Sequence, residues 1–143
     1  MRLFDVNVLV YAFREDAPNH VHYRSWLERV VQSDEPYAVS DHVLAGFLRI
    51  ATHPGVFQPP APWELAIEFA ESVRGQPGAV SVMPGEQHWK IFTRLCAESG
   101  AAGNLVPDAW LAALAIEHGC QFITTDRDYG RFRELRWQHP LDC

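Results

Sequence analysis

Three carboxylates far apart in the chain raise the first chemical question. Asp5 ends the opening apolar run, Asp108 closes the segment Asn104-Leu105-Val106-Pro107-Asp108, and Asp126 ends Phe122-Ile123-Thr124-Thr125-Asp126. Two further acids occur in similar settings. Asp41 follows Ser40 at another strand-to-helix turn, and Asp128 lies two residues beyond Asp126 as a competing acid of the same loop. Carboxylates brought together at neutral pH either shift their pKa values or share a cation. An all-oxygen donor set suits a hard divalent ion, Mg2+ or Mn2+. Each acid also has a plainer reading: Asp5 is well placed to cap a helix starting near Asn7, and Asp108, directly after Pro107, makes a favourable helix start. Only convergence on one place turns these caps into a site.

Convergence depends on the elements. Strand patterns fall at residues 2–6, 37–39, 79–83 and 120–124, and helical patterns separate them. Residues 7–13 are apolar enough for one or two helical turns. Tyr23, Trp26, Leu27, Val30 and Val31 form one helical face, and Val43, Leu44, Phe47, Leu48 and Ala51 form the next, behind Ser40 as N-cap. Leu65, Ala66, Phe69, Ala70 and Val73 follow, after the stiff connector Gln58-Pro59-Pro60-Ala61-Pro62. A helix over 86–99 is expected to bury Trp89, Phe92 and Cys96, and Trp26, Trp63 and Trp89 are assigned to packing. Residues 109–116 are apolar on every side and predict a helix sandwiched within the molecule. The alternation predicts an α/β fold of three layers, α/β/α, around a mostly parallel central sheet of four or five strands. With 143 residues, a single domain spanning 1–143 is expected. A first strand so early belongs in the middle of such a sheet. If the fourth strand lies beside it, about 4.8 Å away, Asp5 and Asp126 face one another at the crevice where open parallel sheets bind ligands.

Composition narrows the classes. The net charge of −6 is unusual for a phosphate binder, but Arg127, Arg131, Arg133 and Arg136 crowd one segment, and Lys90 is the only lysine. Arginine pairs its planar fork with phosphate, so Arg127, Arg131 and Arg133 are candidate phosphate contacts. No apolar run is long enough to cross a membrane, and no secretory leader is apparent. Cys96, Cys120 and Cys143 are odd in number and widely spaced, which points to a reducing compartment, the cytoplasm, and away from structural zinc. His20 and His22 cannot share one helical face and read as surface residues.

Taken together, Asp5-Val6-Asn7, the block Gly103-Asn104-Leu105-Val106-Pro107-Asp108 with Ala112-Ala113-Leu114-Ala115, and Phe122-Ile123-Thr124-Thr125-Asp126 resemble the PIN domain. More narrowly, Phe47-Leu48-Arg49-Ile50-Ala51-Thr52-His53-Pro54 with Val56-Phe57 is similar to a subgroup of VapC-type toxins of bacterial type II toxin–antitoxin systems. The resemblance runs end to end. It implies a metal-dependent endoribonuclease that cuts structured RNA, forms a homodimer and is neutralised by a cognate antitoxin. A tRNA or rRNA loop is the expected target, because sequence-specific RNA readout favours unpaired bases. Asp5, Asp108 and Asp126 would hold Mg2+ (or Mn2+) and activate water for in-line attack, with Asn7, Thr124 and Thr125 supporting the aspartates by hydrogen bonds. An acidic crevice predicts an antitoxin with a basic C-terminal tail. One position departs from the pattern: the family's Glu in the second turn of the helix after strand two aligns with Gly46, which makes Asp41 the candidate fourth acid. Two other classes stay open, a metal-dependent phosphatase and a catalytically weakened RNA-binding PIN protein.

Overall fold

The computed structural model describes residues 1–142; Cys143 lies outside them. Five short strands form one sheet in the order β3-β2-β1-β4-β5, all neighbours parallel. They are β1 (Arg2–Phe4), β2 (Tyr37–Val39), β3 (Ala79–Ser81), β4 (Gln121–Ile123) and β5 (Trp137–Gln138). The first strand is central, and its partner on one side is the fourth, with Phe4 opposite Ile123. The two-residue β5 had no strand pattern of its own. It is a sheet edge recruited through Phe122 N–H to Arg136 O (2.8 Å) and Thr124 N–H to Gln138 O (3.1 Å).

Six helices connect the strands: α1 (Val6–Phe13), α2 (His20–Gln32), α3 (Asp41–Ala51), α4 (Trp63–Arg74), α5 (His88–Ser99) and α6 (Leu105–Glu117). The steps from β1 to β2 and from β2 to β3 move the same way along the sheet. The step from β3 to β4 returns across β2 and β1. Right-handed crossovers therefore put α1 to α4 on one face and α5 with α6 on the other. The packing agrees: α1 contacts α2 and α3, α3 contacts α4, and α5 contacts α6.

Local chemistry explains the starts. Ser40 caps α3 by accepting from Val43 N–H at 3.3 Å. Gly119, at φ 65° after α6, takes the left-handed conformation that turns the chain into β4. Ala109 and Leu111 to Ala115 of α6 are all buried, as an all-round apolar helix must be. That helix begins at Leu105, so Pro107 and Asp108 are its third and fourth residues rather than its first and second.

Three packing expectations fail. Trp63 is 53% exposed and Trp89 70% exposed. Trp63 is the first residue of α4, and the buried residues of α5 are His88 and Leu95, which leaves Trp89 off that stripe. Leu65 is likewise exposed, and Cys96 and Phe92 are only partly covered. The third strand is also shorter than its apolar run, ending at Ser81 with Met83 exposed. No helix among the described residues is long and apolar enough to cross a membrane.

Candidate active site

The parallel pairing of β1 with β4 brings Asp5 beside Thr124. Asp5 N–H donates to Ile123 O at 2.8 Å, so the ladder runs one residue past β1. Asp5 does cap α1: its Oδ1 accepts from Val6 N–H at 2.8 Å. The other oxygen, Oδ2, accepts from the Thr124 hydroxyl at 2.7 Å. Thr124 is fully buried, and its Oγ1 also accepts from Asp126 N–H at 3.0 Å. One threonine thus ties the two strand-end aspartates together. Asn7 and Thr125 make no such bond among the described residues, so the supporting role predicted for three side chains falls to Thr124.

Asp126 starts the short 3₁₀ turn Arg127–Arg131, and its Oδ1 accepts from Asp128 N–H at 2.9 Å. Asp128 itself points its charge at the margin, where it is felt by Asp108. Asp108 is held by a residue that the motifs did not single out. The Tyr129 hydroxyl donates to Asp108 Oδ1 at 3.2 Å, and Tyr129 is only 2% exposed, packed on Phe122 and Phe132. The available signal was its place three residues after Asp126, on the inner side of a tight turn.

The electrostatics join these parts. Burial first of all raises the Asp5 carboxyl, which is only 8% exposed. The Thr124 and Val6 hydrogen bonds oppose the rise, and the Asp108 and Asp126 carboxylates add to it. Asp108 is also raised, by burial first, with Tyr129 and Arg131 lowering it and Asp126 and Asp128 raising it. The Tyr129 phenol is pushed up by burial and by the Asp5 and Asp108 charges. The Asp108 and Asp126 charges thus reach Asp5, and the Asp126 charge reaches Asp108.

Asp41 does not join that set. It forms an ion pair with Arg74, Nε to Oδ1 at 2.8 Å, and the guanidinium hydrogen bond holds its carboxyl below the usual range. Asp41 is absent from the charges that act on Asp5. The arginine segment is divided as well. Arg127 is engaged by Asp142 at 3.0 Å, Arg131 Nε bonds Asp128 O at 3.1 Å while its charge reaches Asp108, and Arg133 has no hydrogen bond or ion pair among the described residues.

Among the described residues, no three His, Cys, Asp or Glu side chains stand close enough to form a ready-made metal cage. The donors nevertheless fit a hard cation. They are all oxygens, Asp108 Oδ2 and Asp126 Oδ2 accept no hydrogen bond among the described residues, and Asp5 and Asp108, raised first by burial, are raised further by neighbouring carboxylates. Mg2+ is commonly held by one or two carboxylates with its remaining positions filled by water and substrate phosphate, so an incomplete cage suits it.

The family model described as PIN domain matches residues 2–136. The chain belongs to the PIN domain family. Among curated PIN relatives it is 44% identical over 142 residues to ribonuclease VapC43 of Mycobacterium tuberculosis (strain ATCC 25618 / H37Rv), covering 99% of this chain and 97% of the relative. It is 42% identical over 140 residues to ribonuclease VapC25 of the same strain, covering 98% and 99%. The PIN fold of the chain is also that of solved structures. A crystal structure of VapBC2 from Rickettsia felis, bound to a promoter DNA fragment, aligns with a TM-score of 0.68 at 17% identity over 96% of this chain and 97% of that one. VapBC-1 from nontypeable Haemophilus influenzae aligns with a TM-score of 0.68 at 20% identity, covering 98% of both chains.

Proposed function

We propose that this PIN-domain protein is an endoribonuclease toxin of the VapC type, acting in the cytoplasm on unpaired RNA such as a tRNA or rRNA loop. The observation that carries the reading is the Thr124 link between Asp5 and Asp126 after β1 and β4, with Asp108 of α6 near enough to raise the Asp5 carboxyl. It is supported by the 44% identity to a ribonuclease over nearly the whole chain. Asp5, Asp108 and Asp126 hold Mg2+, with Mn2+ as the substitute. When bound, the cation lowers the pKa of a water and neutralises charge on the scissile phosphate. Thr124 orients Asp5, Tyr129 orients Asp108, and the Thr124–Asp126 bond keeps the two strand ends in register. Arg131 and Arg133 are the phosphate contacts; Arg127 joins them only by leaving Asp142.

Asp41 is the proposed fourth acid, and Arg74 holds it away from the other three. As a fourth acid it would leave the Arg74 guanidinium and help to hold the cation. Cleavage and stability of Asp41→Asn and Arg74→Gln separate a catalytic from a purely structural Asp41. A catalytic Asp41 loses about 10²-fold in rate, or about 2.7 kcal/mol on the barrier, as Asn, and keeps its activity when Arg74 is replaced. Equal and small effects of both changes would return Asp41 to a surface ion pair.

The partner is proposed to be an antitoxin with a basic, aromatic C-terminal tail, and the active form a homodimer. A groove of about 630 Å³ is lined by Phe13, Leu65 and Phe69 and by charges of both signs, Arg14 and Arg24 with Glu15, Asp16 and Glu68. Asp16 is paired with Arg14, which leaves Glu15 and Glu68 for the basic residues of such a tail. The test of the whole reading is induction of the chain followed by mapping of new RNA 5′ ends, then cleavage by purified protein with and without Mg2+. Products with 3′-hydroxyl and 5′-phosphate ends are expected, lost in EDTA and in Asp5→Asn. RNA ends unchanged on induction, or cleavage indifferent to Asp5→Asn, would remove it.

A further inference from the structure

One stripe of α3 carries two polar groups that make no hydrogen bond or ion pair among the described residues. A Cβ at Gly46 would stand 3.0 Å from Val6 Cγ2, so this stripe meets the residue next to Asp5. His42 lies four residues before Gly46 and Arg49 three after, spacings that share a helical face. Both are exposed. The His42 ring makes no hydrogen bond among the described residues and rests on Trp110, with ring centroids 4.5 Å apart. Trp110 is itself fixed from behind by buried His88, whose ring lies 4.7 Å away and whose Nε2 meets Trp110 O at 3.0 Å. Arg49 has no ion pair or hydrogen bond among the described residues. By contrast Arg2, Arg14, Arg24, Arg74, Arg94 and Arg127 each hold a carboxylate.

Resting on the ribonuclease reading above, we propose that this stripe is the track by which an unpaired RNA strand approaches the three aspartates. An unpaired base stacks on His42, which Trp110 props from behind. Arg49, roughly 10 Å further along the helix, takes a backbone phosphate. Ala45, exposed between them, keeps the floor low, and Gly46 lets α3 sit close to Val6, so a strand lying against α3 runs towards Asp5. Charge complementarity favours nucleic acid here. An uncommitted guanidinium and an aromatic ring on a helix that meets Val6, next to Asp5, match phosphate and base, the two features that single-stranded nucleic acid repeats.

The experiment measures binding of a fluorescein-labelled RNA hairpin with an unpaired loop in EDTA, on the full chain in an Asp5→Asn background, over a range of KCl. His42→Ala is expected to weaken binding about five- to tenfold, the scale of one lost base–ring contact, and His42→Phe to restore it. Arg49→Gln should reduce the slope of log Kd against log salt by about 0.7, the value for one phosphate on a single strand. Arg29→Gln, another arginine without a partner but in a separate groove with His22 and Pro140, should change neither. His42→Ala and Arg49→Gln chains that bind like the parent overturn the track; if the wild-type chain still cuts RNA, the ribonuclease reading stands. A wild-type chain that neither binds nor cuts RNA overturns both. Sedimentation of the same variants supplies the remaining outcome: a changed oligomeric state would make the stripe a protein interface and overturn its assignment to RNA.

Discussion

At the residue scale, Asp5 does two jobs that conflict electrically. Capping α1 and accepting from Thr124 favour its charged form, while burial and two neighbouring carboxylates oppose it, and the carboxyl ends up raised. A carboxyl raised in the fold binds its proton more tightly there than in the unfolded chain. Its contribution to metal-free stability is then complete below the ordinary aspartate value of about 3.9, and is lost as pH rises through the raised value. In EDTA, Asp5→Asn should therefore be more stable than the parent at pH 7, with the difference closing as pH falls towards about 4. Thermal unfolding across that range checks it, and a variant less stable than the parent at neutral pH would contradict the balance described. Tyr129 offers a second test. Tyr129→Phe keeps the buried ring and deletes only the bond to Asp108, so Mn2+ affinity should fall about tenfold, the lower end for losing a group that orients a ligand. Calorimetric titration with Mn2+ would show it without any cleavage assay.

At the element scale, the meeting of α3 with the first turn of α1 decides what position 46 can be. Glycine inside a helix costs about 1 kcal/mol relative to alanine, and it is kept where an added Cβ would crowd Val6. Gly46→Ala should therefore destabilise the parent chain, yet stabilise a Val6→Ala chain by up to about 1 kcal/mol. The double-mutant cycle isolates that coupling, and additive effects would show that Val6 is not the reason. Gly46→Glu, the change that restores the family's usual acid, meets the same crowding directly beside Asp5. Returning a carboxylate to this turn thus has a packing cost that the family resemblance does not show.

At the scale of the whole molecule, Asp5 and Asp126 come together because β1 pairs with β4. A cation held by the proposed acids would be bound by the folded state alone, so its binding should stabilise folding. With Mg2+ at one hundred times its dissociation constant the gain is about 2.7 kcal/mol, which corresponds to an upward shift of roughly 5 to 10 °C in Tm for a domain of this size. Asp108→Asn should blunt the shift. An unfolding curve that does not move with Mg2+ or Mn2+ would leave Asp5 and Asp126 as caps, and Asp108 as a first-turn acid of α6, and nothing more.

The alternation of strand and helix, the central place of the first strand, the sandwiched α6 and the aspartates at strand ends were all legible in the sequence, because backbone periodicity and turn chemistry are local. Apolar runs also showed which face of each helix could be buried. They did not show whether a neighbour covers it, and so Trp63 and Trp89 stand exposed. The two-residue β5 exists only because β4 offers it an edge. Side-chain partnership was equally hidden: Asp41 is taken by Arg74, Arg127 by Asp142, and Asp108 by a tyrosine 21 residues away. Such pairings depend on which surfaces the crossovers bring together, and the tertiary structure alone decided them.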